Sequence, residues 1–127
     1  MKRPKWITAA MVAAIHDEAI YEFGGLAGVR DAGLLASAID RPRNRYGHEP
    51  KSTIFHLAAA LCHGLTKNHP FIDGNKRTAL LATRAFLYLN GEELEPEEND
   101  EVATMVALAD GSLGEEQLAG WLRANAK

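Results

Sequence analysis

The 127-residue sequence has little of several features that mark common protein classes. It contains one cysteine, Cys62, which excludes a disulfide framework or a cysteine-based zinc site within one chain and favours a reducing compartment such as the cytoplasm. No apolar run approaches the ~20 residues that a membrane helix needs. The net charge of -3 leaves no cationic excess, so we do not expect direct nucleic-acid binding or a membrane partner.

Two nucleotide-binding signatures are also missing. The sequence has neither the Walker A pattern GxxxxGK[ST] nor the glycine-rich loop of ordinary protein kinases, which excludes those folds. No HExxH pattern accompanies His56 and His63, so a structural role is the better interpretation of both, and of His16.

What is present predicts a globular, all-α protein. Hydrophobic residues make up 46% and charged residues 24%, and the apolar positions recur at helical spacing without the alternation of strands. We therefore expect one compact domain over residues 1–127, a helical bundle of about six helices. The first expected helix covers residues 8–23, and the second is a short one that is capped by Asp31, carries its apolar residues at 34–39 and is stopped by Pro42. The third runs from Ser52 or Thr53 to about Lys67, and the fourth from 73–75 to Asn90. The fifth is capped by Asn99 or Asp100, and the last is opened by a capping box of Ser112 and Glu115.

Two regions carry further expectations. The fourth helix is apolar nearly all round from Leu80 to Leu89, which is typical of the buried centre of a bundle. Residues 41–53 are expected to form a basic loop, either solvated or a surface for ATP phosphates or an acidic target. Its basic side chains are Arg41, Arg43, Arg45, His48 and Lys51.

The N-terminus faintly resembles a secretory signal. Lys2, Arg3 and Lys5 precede the apolar stretch WITAAMVAAI. The stretch ends at residues 16–18 without a small-residue cleavage site, so we interpret it as an amphipathic helix capped by Thr8.

The chemically informative stretch is NHPFIDGNKRT at residues 68–78, which leads into an apolar helix. The N-terminus of a helix presents unpaired N–H groups and favours an anion, and Gly74 allows the close approach of a ligand. Lys76 and Arg77 supply positive charge for phosphates, and Asp73 is a hard oxygen ligand suited to Mg²⁺. His69 can take a proton from a hydroxyl. Together these side chains indicate phosphoryl or nucleotidyl transfer to a hydroxyl acceptor.

The segment HPFIDGNKR resembles the signature HxFx(D/E)(G/A)N(G/K)R of the Fic/Doc family. Residues 24–31 and 34–39 resemble the early part of Doc (death on curing) toxins, and residues 77–80 and 86–91 resemble the part after the signature. The similarity covers most of residues 8–91. It implies a small all-helical fold, with His69 as general base and Asp73 holding Mg²⁺ or orienting the acceptor hydroxyl. It also implies that Asn75, Lys76 and Arg77 bind the phosphates of ATP and that Gly74 admits them.

The family divides by chemistry, and two residues favour one branch. Fic proteins that transfer AMP usually carry a glycine where this chain has Lys76 and a second arginine where it has Leu80. At both positions the chain resembles Doc toxins, and its length also suits that group. Leu81, in contrast, stands where the Doc pattern often has asparagine. The resemblance implies a kinase that transfers the γ-phosphate of ATP to a threonine of elongation factor Tu and so arrests translation.

The resemblance also implies a partner. Doc toxins are neutralised by an antitoxin of the Phd type, whose C-terminal segment folds as a helix into an apolar groove. The inhibitory motif (S/T)xxxE(G/N) of many Fic proteins is only approached by Ser112 and Glu116, followed by Gln117, so self-inhibition is not expected. Two alternatives remain: AMP or other NMP transfer on the same fold, and a catalytically inactive protein that acts only by binding its antitoxin.

Overall fold

The computed structural model describes residues 3–127, so Lys2 of the basic N-terminal stretch lies outside it. Its helices are α1 (Ala9–Phe23), α2 (Ala32–His48), α3 (Ile54–Asn68), α4 (Asn75–Leu89), α5 (Glu98–Asp110) and α6 (Glu115–Ala124). Within residues 3–127 the only β-type pairings are two isolated bridges, Val29 with Phe71 and Leu94 with Ala126. The expectation of an all-α bundle is confirmed, whereas the domain limits 1–127 stay a prediction. None of the described helices could cross a membrane.

The centre of the bundle is α3. Ten of its fifteen residues are buried, and it packs against α2, α4, α5 and α6. The expectation that α4 forms the centre is wrong. Tyr88 on α4 is 70% exposed, because this helix packs on α3 with one face and turns another outward beside α5.

The second helix is much longer than its sequence pattern predicts. It continues through Pro42 to His48, so the predicted stop at Pro42 is wrong. The predicted loop at 41–53 is wrong for residues 41–48, which are helical. Pro42 is buried. A proline has no N–H for the helical hydrogen bond, and it therefore normally ends a helix. Here the following turn is stabilised by tertiary contacts: Arg45 of α2 pairs with Glu115 and Glu116 of α6.

The basic residues of 41–53 mostly bind groups of the protein itself. Arg41 donates to Glu115 and to the carbonyl oxygen of Ala60, and the Arg43 guanidinium lies 5.6 Å from the Trp6 ring centroid. Glu115 accepts hydrogen bonds from both Arg41 and Arg45, which ties α6 to α2. Arg41, Arg43 and Arg45 thus interact with groups of the protein itself, so less of the positive charge of residues 41–53 is available to a ligand.

The helix caps follow the sequence in part. Thr8, Asp31 and Thr53 cap α1, α2 and α3 as expected, their side-chain oxygens accepting from Met11 N, Leu34 N and His56 N. The other two expected caps are wrong. Glu97 caps α5 two or three residues earlier than expected, because its carboxylate accepts from two following N–H groups. Gly114 rather than Ser112 is the N-cap of α6, and Gln117 Oε1 accepts from its N–H at 2.8 Å.

Candidate active site

The loop that joins α3 to α4, residues 69–74, is closed by one buried side chain. Asn75 is 7% exposed, and its amide oxygen accepts from Phe71 N at 3.0 Å while its nitrogen donates to Phe71 O at 2.9 Å. The same amide nitrogen lies 3.4 Å from Nδ1 of His69. Phe71 itself is buried. Asn75 therefore shapes the loop, and it reaches the His69 ring at a distance long for a hydrogen bond.

His69 is held by its backbone in an uncommon conformation. Its φ of 48° lies in the left-handed region, the only such non-glycine residue among residues 3–127. Arg30 stabilises this end of α3, donating from Nε to the carbonyl oxygen of His69 at 2.7 Å and from Nη2 to that of Asn68 at 2.9 Å. The imidazole is exposed, as a general base for an external hydroxyl must be.

Asp73 is held from two sides. Its carboxylate accepts from Leu26 N at 3.1 Å and from Gly74 N at 2.9 Å, and its carbonyl oxygen accepts from Nε2 of the buried His16 at 2.8 Å. Gly25, at a φ of 116°, makes this approach possible: a Cβ there would lie 2.8 Å from Oδ2 of Asp73. The loop between α1 and α2 is thus packed against the predicted Mg²⁺ ligand.

The first turn of α4 carries the predicted phosphate ligands. Its N-cap, Gly74, has a φ of 73° and offers no side-chain acceptor, so N–H groups of the first turn remain available to an anion. Lys76 and Arg77 are exposed, and the Arg77 guanidinium stacks 3.8 Å from the ring centroid of Phe23. Both line one end of a groove of about 440 Å³ between α4 and α5.

The predicted Mg²⁺ ligand, Asp73, can be compared with what such an ion requires. Among residues 3–127 no three carboxylate, histidine or cysteine side chains come together as a metal cage. Mg²⁺ on phosphate substrates needs only one or two carboxylates from the protein. Asp73 is exposed and each of its oxygens keeps a free lone pair, so it fits that role.

Two side chains outside the loop, Cys62 and Glu116, interact with other parts of the protein. Burial raises the pKa of the Cys62 thiol to about 11, so it is not a nucleophile at neutral pH. Glu116, the acidic residue of the imperfect inhibitory motif, pairs with Arg45 and His56 instead of Arg77.

Three groups that position the loop carry no clear functional signal in the sequence. Arg30 belongs only to the segment that resembles Doc toxins, and His16 has a structural interpretation. The N–H group of Leu26 carries no side-chain signal at all. The glycine pair at 24–25 follows the predicted end of the first helix at Phe23, and the closeness of Gly25 to Asp73 gives Gly25 a second role.

The described helices thus form a small bundle whose central helix leads, through a short loop with an exposed histidine and an anchored aspartate, into a helix N-terminus without a side-chain cap. A family model described as the Fic/DOC family matches residues 6–87. The chain belongs to this Fic/DOC family.

Two curated relatives agree. The chain is similar to the protein named Toxin Doc of Mycolicibacterium smegmatis, with 47% identity over 73 residues, 57% of this chain and 56% of that protein. It is also similar to the protein named Protein kinase doc of Escherichia phage P1, with 32% identity over 118 residues, 92% of each chain.

Proposed function

We propose that this protein is a Doc-type toxin that transfers the γ-phosphate of ATP to a Ser or Thr hydroxyl of a translation factor. The observation that carries the proposal is the loop between α3 and α4, which offers an exposed imidazole, an anchored carboxylate and an uncapped helix N-terminus within seven residues. The name of the phage relative, a protein kinase alignable over 92% of this chain, supports the kinase chemistry. Elongation factor Tu is the proposed acceptor, on the family resemblance.

The reaction uses each group of the loop once. His69 takes the proton of the acceptor hydroxyl, and the hydroxyl oxygen then forms a bond to the γ-phosphorus. The bond from that phosphorus to the β,γ-bridging oxygen breaks, and ADP leaves with the electron pair. Lys76, Arg77 and the first N–H groups of α4 neutralise the phosphates. Bound Mg²⁺, held by Asp73, would supply further charge neutralisation on the phosphate oxygens.

AMP transfer from the α-phosphorus is the competing chemistry, and two residues argue against it. Lys76 stands where Fic proteins that transfer AMP usually carry a glycine. Its side chain adds bulk and positive charge at the first turn of α4. Leu80 lines the groove one turn further along, where it offers no guanidinium to a terminal phosphate.

Label transfer separates these chemistries. The protein, Mg²⁺ and ATP labelled at the α- or the γ-phosphate are incubated with purified elongation factor Tu and, separately, with a bacterial translation extract. We expect γ-label on elongation factor Tu and none with His69→Ala, a loss of about 10²-fold or more for a general base. The matched control His48→Ala removes an exposed imidazole of α2 and should retain transfer. Label from the α-phosphate would replace the kinase by a nucleotidyl transferase, and growth arrest by His69→Ala would favour a protein that acts by binding alone.

We further propose that the groove between α4 and α5 receives an amphipathic helix of a Phd-type antitoxin. Its walls are mainly apolar and include the exposed Val102 and Val106 of α5. Lys76 and Arg77 provide positive charge at one end, so a carboxylate on the incoming helix would both pair with them and compete with ATP phosphates.

A charge introduced on the groove wall tests this partner. Val106→Asp should abolish neutralisation by a Phd-type antitoxin co-expressed with the protein while leaving phosphate transfer intact, because a carboxylate would have to be buried against apolar side chains. Tyr88→Asp, at a 70% exposed position on α4, is the control and should leave neutralisation unchanged. Full neutralisation of Val106→Asp would move the antitoxin to another surface.

A further inference from the structure

His16 is a buried histidine for which the proposed reaction has no use. It lies on α1, is 1% exposed, and is separated from the loop by more than fifty residues of sequence. Its ring stacks on the ring of Phe71 with a centroid distance of 3.9 Å and an interplanar angle of 6°. Its Nε2 donates to the carbonyl oxygen of Asp73 at 2.8 Å.

The two contacts of His16 make different demands on the side chain. Stacking on Phe71 could be satisfied by many flat or apolar side chains, and it would explain burial alone. The contact with Asp73 needs a hydrogen-bond donor at the end of the side chain, since the carbonyl can only accept. A donor at that place is therefore the specific reason for a histidine.

The Asp73 carbonyl belongs to the peptide that leads into Gly74. This peptide sits against α1: a Cβ on Gly74 would lie 3.3 Å from Ile20 and 3.9 Å from Nε2 of His16. Fixing the carbonyl oxygen fixes the plane of that peptide, and with it the direction in which Asp73 carries its carboxylate. The Leu26 N–H then meets a carboxylate already aimed at it.

We infer that His16 is a positioning residue: it holds the backbone of Asp73 so that the carboxylate keeps its orientation towards ligand. It acts through Asp73 and touches neither nucleotide nor acceptor. The inference rests on the proposed function for its effect on phosphate transfer, but its structural half concerns only the Asp73 carboxylate and can be measured without any reaction.

The pair His16→Gln and His16→Met isolates the donor. Glutamine and methionine have nearly the same length and volume, and only glutamine carries an N–H where Nε2 of histidine lies. We expect His16→Met to lower kcat for phosphate transfer about ten-fold, the order of one lost buried hydrogen bond, with KM for ATP changed less than two-fold, and His16→Gln to recover most of the loss. Equal kcat values for the two variants would overturn the inference.

A second readout keeps the inference separate from the proposed activity. Amide hydrogen exchange of Leu26 reports its bond to the Asp73 carboxylate, and we expect it to accelerate in His16→Met but not in His16→Gln. The Met11 N–H, which lies on the same helix as His16 and donates to the Thr8 hydroxyl, should keep its exchange rate in both variants. If the wild-type protein transfers no label, the proposed function fails, and Leu26 exchange still decides on His16: unchanged exchange in His16→Met overturns the inference.

A stability control completes the design. Leu122→Val removes one CH₂ group from the buried core at α6, which is distant from the loop in the sequence. It should lower the melting temperature while leaving kcat and Leu26 exchange as in the wild type. If Leu122→Val reproduced both effects of His16→Met at equal stability loss, His16 would be an ordinary core residue.

Discussion

At the scale of single residues, the side chain of Asn75 closes the turn between His69 and α4. It supplies both a donor and an acceptor to one residue, Phe71, whose backbone is buried with it. Water cannot replace these two bonds, because the groups that would need it are enclosed. Asn75 therefore stabilises the loop through these two bonds, a role beyond that of the phosphate ligand that the family resemblance implies.

Replacing Asn75 by alanine should be costly for stability. Asn75→Ala leaves the N–H and C=O of Phe71 without partners. At roughly 1–3 kcal/mol for each of these two buried unpaired groups, we expect a loss of about 2–6 kcal/mol in the free energy of unfolding. Urea unfolding measures it. Asn44→Ala, at an exposed position of α2, serves as control and should change stability by no more than ~0.5 kcal/mol. A loss at Asn75 as small as at Asn44 would contradict the role of the two bonds.

The candidate residues could be predicted where the chemistry is local in sequence. His69, Asp73 and Asn75 lie within seven residues, so their nearness follows from the predicted start of the fourth helix at 73–75. The groups that hold the loop could not be predicted. Arg30 and His16 reach it across 39 and 57 positions respectively, and such contacts depend on how helices pack rather than on any local pattern.

At the scale of helices, the same limit explains the error in α2. Local propensity correctly identifies Pro42 as unfavourable within a helix. The ion pairs of Arg41 and Arg45 with α6 and the burial of Pro42 outweigh that preference, and none of them is visible until α6 is placed. In contrast, α1, α3 and α4 were predicted nearly to their ends, since their apolar stripes and caps agree with their tertiary packing.

The contact between α2 and α3 depends on a missing side chain. A Cβ on Gly64 of α3 would lie 3.2 Å from Cα of Ala38 and 2.6 Å from Cδ of Arg41. The Arg41 side chain can move, but the backbone at Ala38 cannot without separating the helices. Gly64 therefore sets how closely the two helices approach.

Adding that methyl group should destabilise the bundle even though alanine favours helix. We expect Gly64→Ala to lower the free energy of unfolding by about 1–2 kcal/mol, with overpacking exceeding the gain in helix propensity. Gly120→Ala on α6 makes the same change where no atom lies within 4 Å, and should raise stability by roughly 0.5–1 kcal/mol. Urea midpoints at constant m-value measure both. A stabilised Gly64→Ala would show that the helices separate freely.

At the scale of the whole molecule, α6 is joined to the centre of the bundle by charge as well as by apolar packing. Leu118, Ala119 and Leu122 enter the core, while Glu115 lies among cationic groups of α2 and near His63 of α3. Neither helix is adjacent to α6 in sequence. The balance of charge in this cluster therefore exists only in the folded state, which makes folding depend on pH.

His63 should make the folded protein sensitive to mild acid. Burial, and then the nearby Arg41 and Lys67, hold its pKa below the usual 6.5, although Glu115 opposes them. As pH falls through 6.5 the unfolded chain therefore binds a proton that the folded protein refuses, and the free energy of unfolding decreases until the lower folded pKa is passed. His63→Gln removes this site, so its stability should fall less steeply between pH 7 and 5 in urea titrations. Above pH 7 the difference in the free energy of unfolding between the two proteins should be constant. The range from pH 7 to 5 also lies above the pH range in which Glu116 titrates, because Arg45 holds the pKa of that carboxyl below its usual value. An identical slope in both proteins would mean that His63 accepts its proton in the folded state as readily as in the unfolded chain.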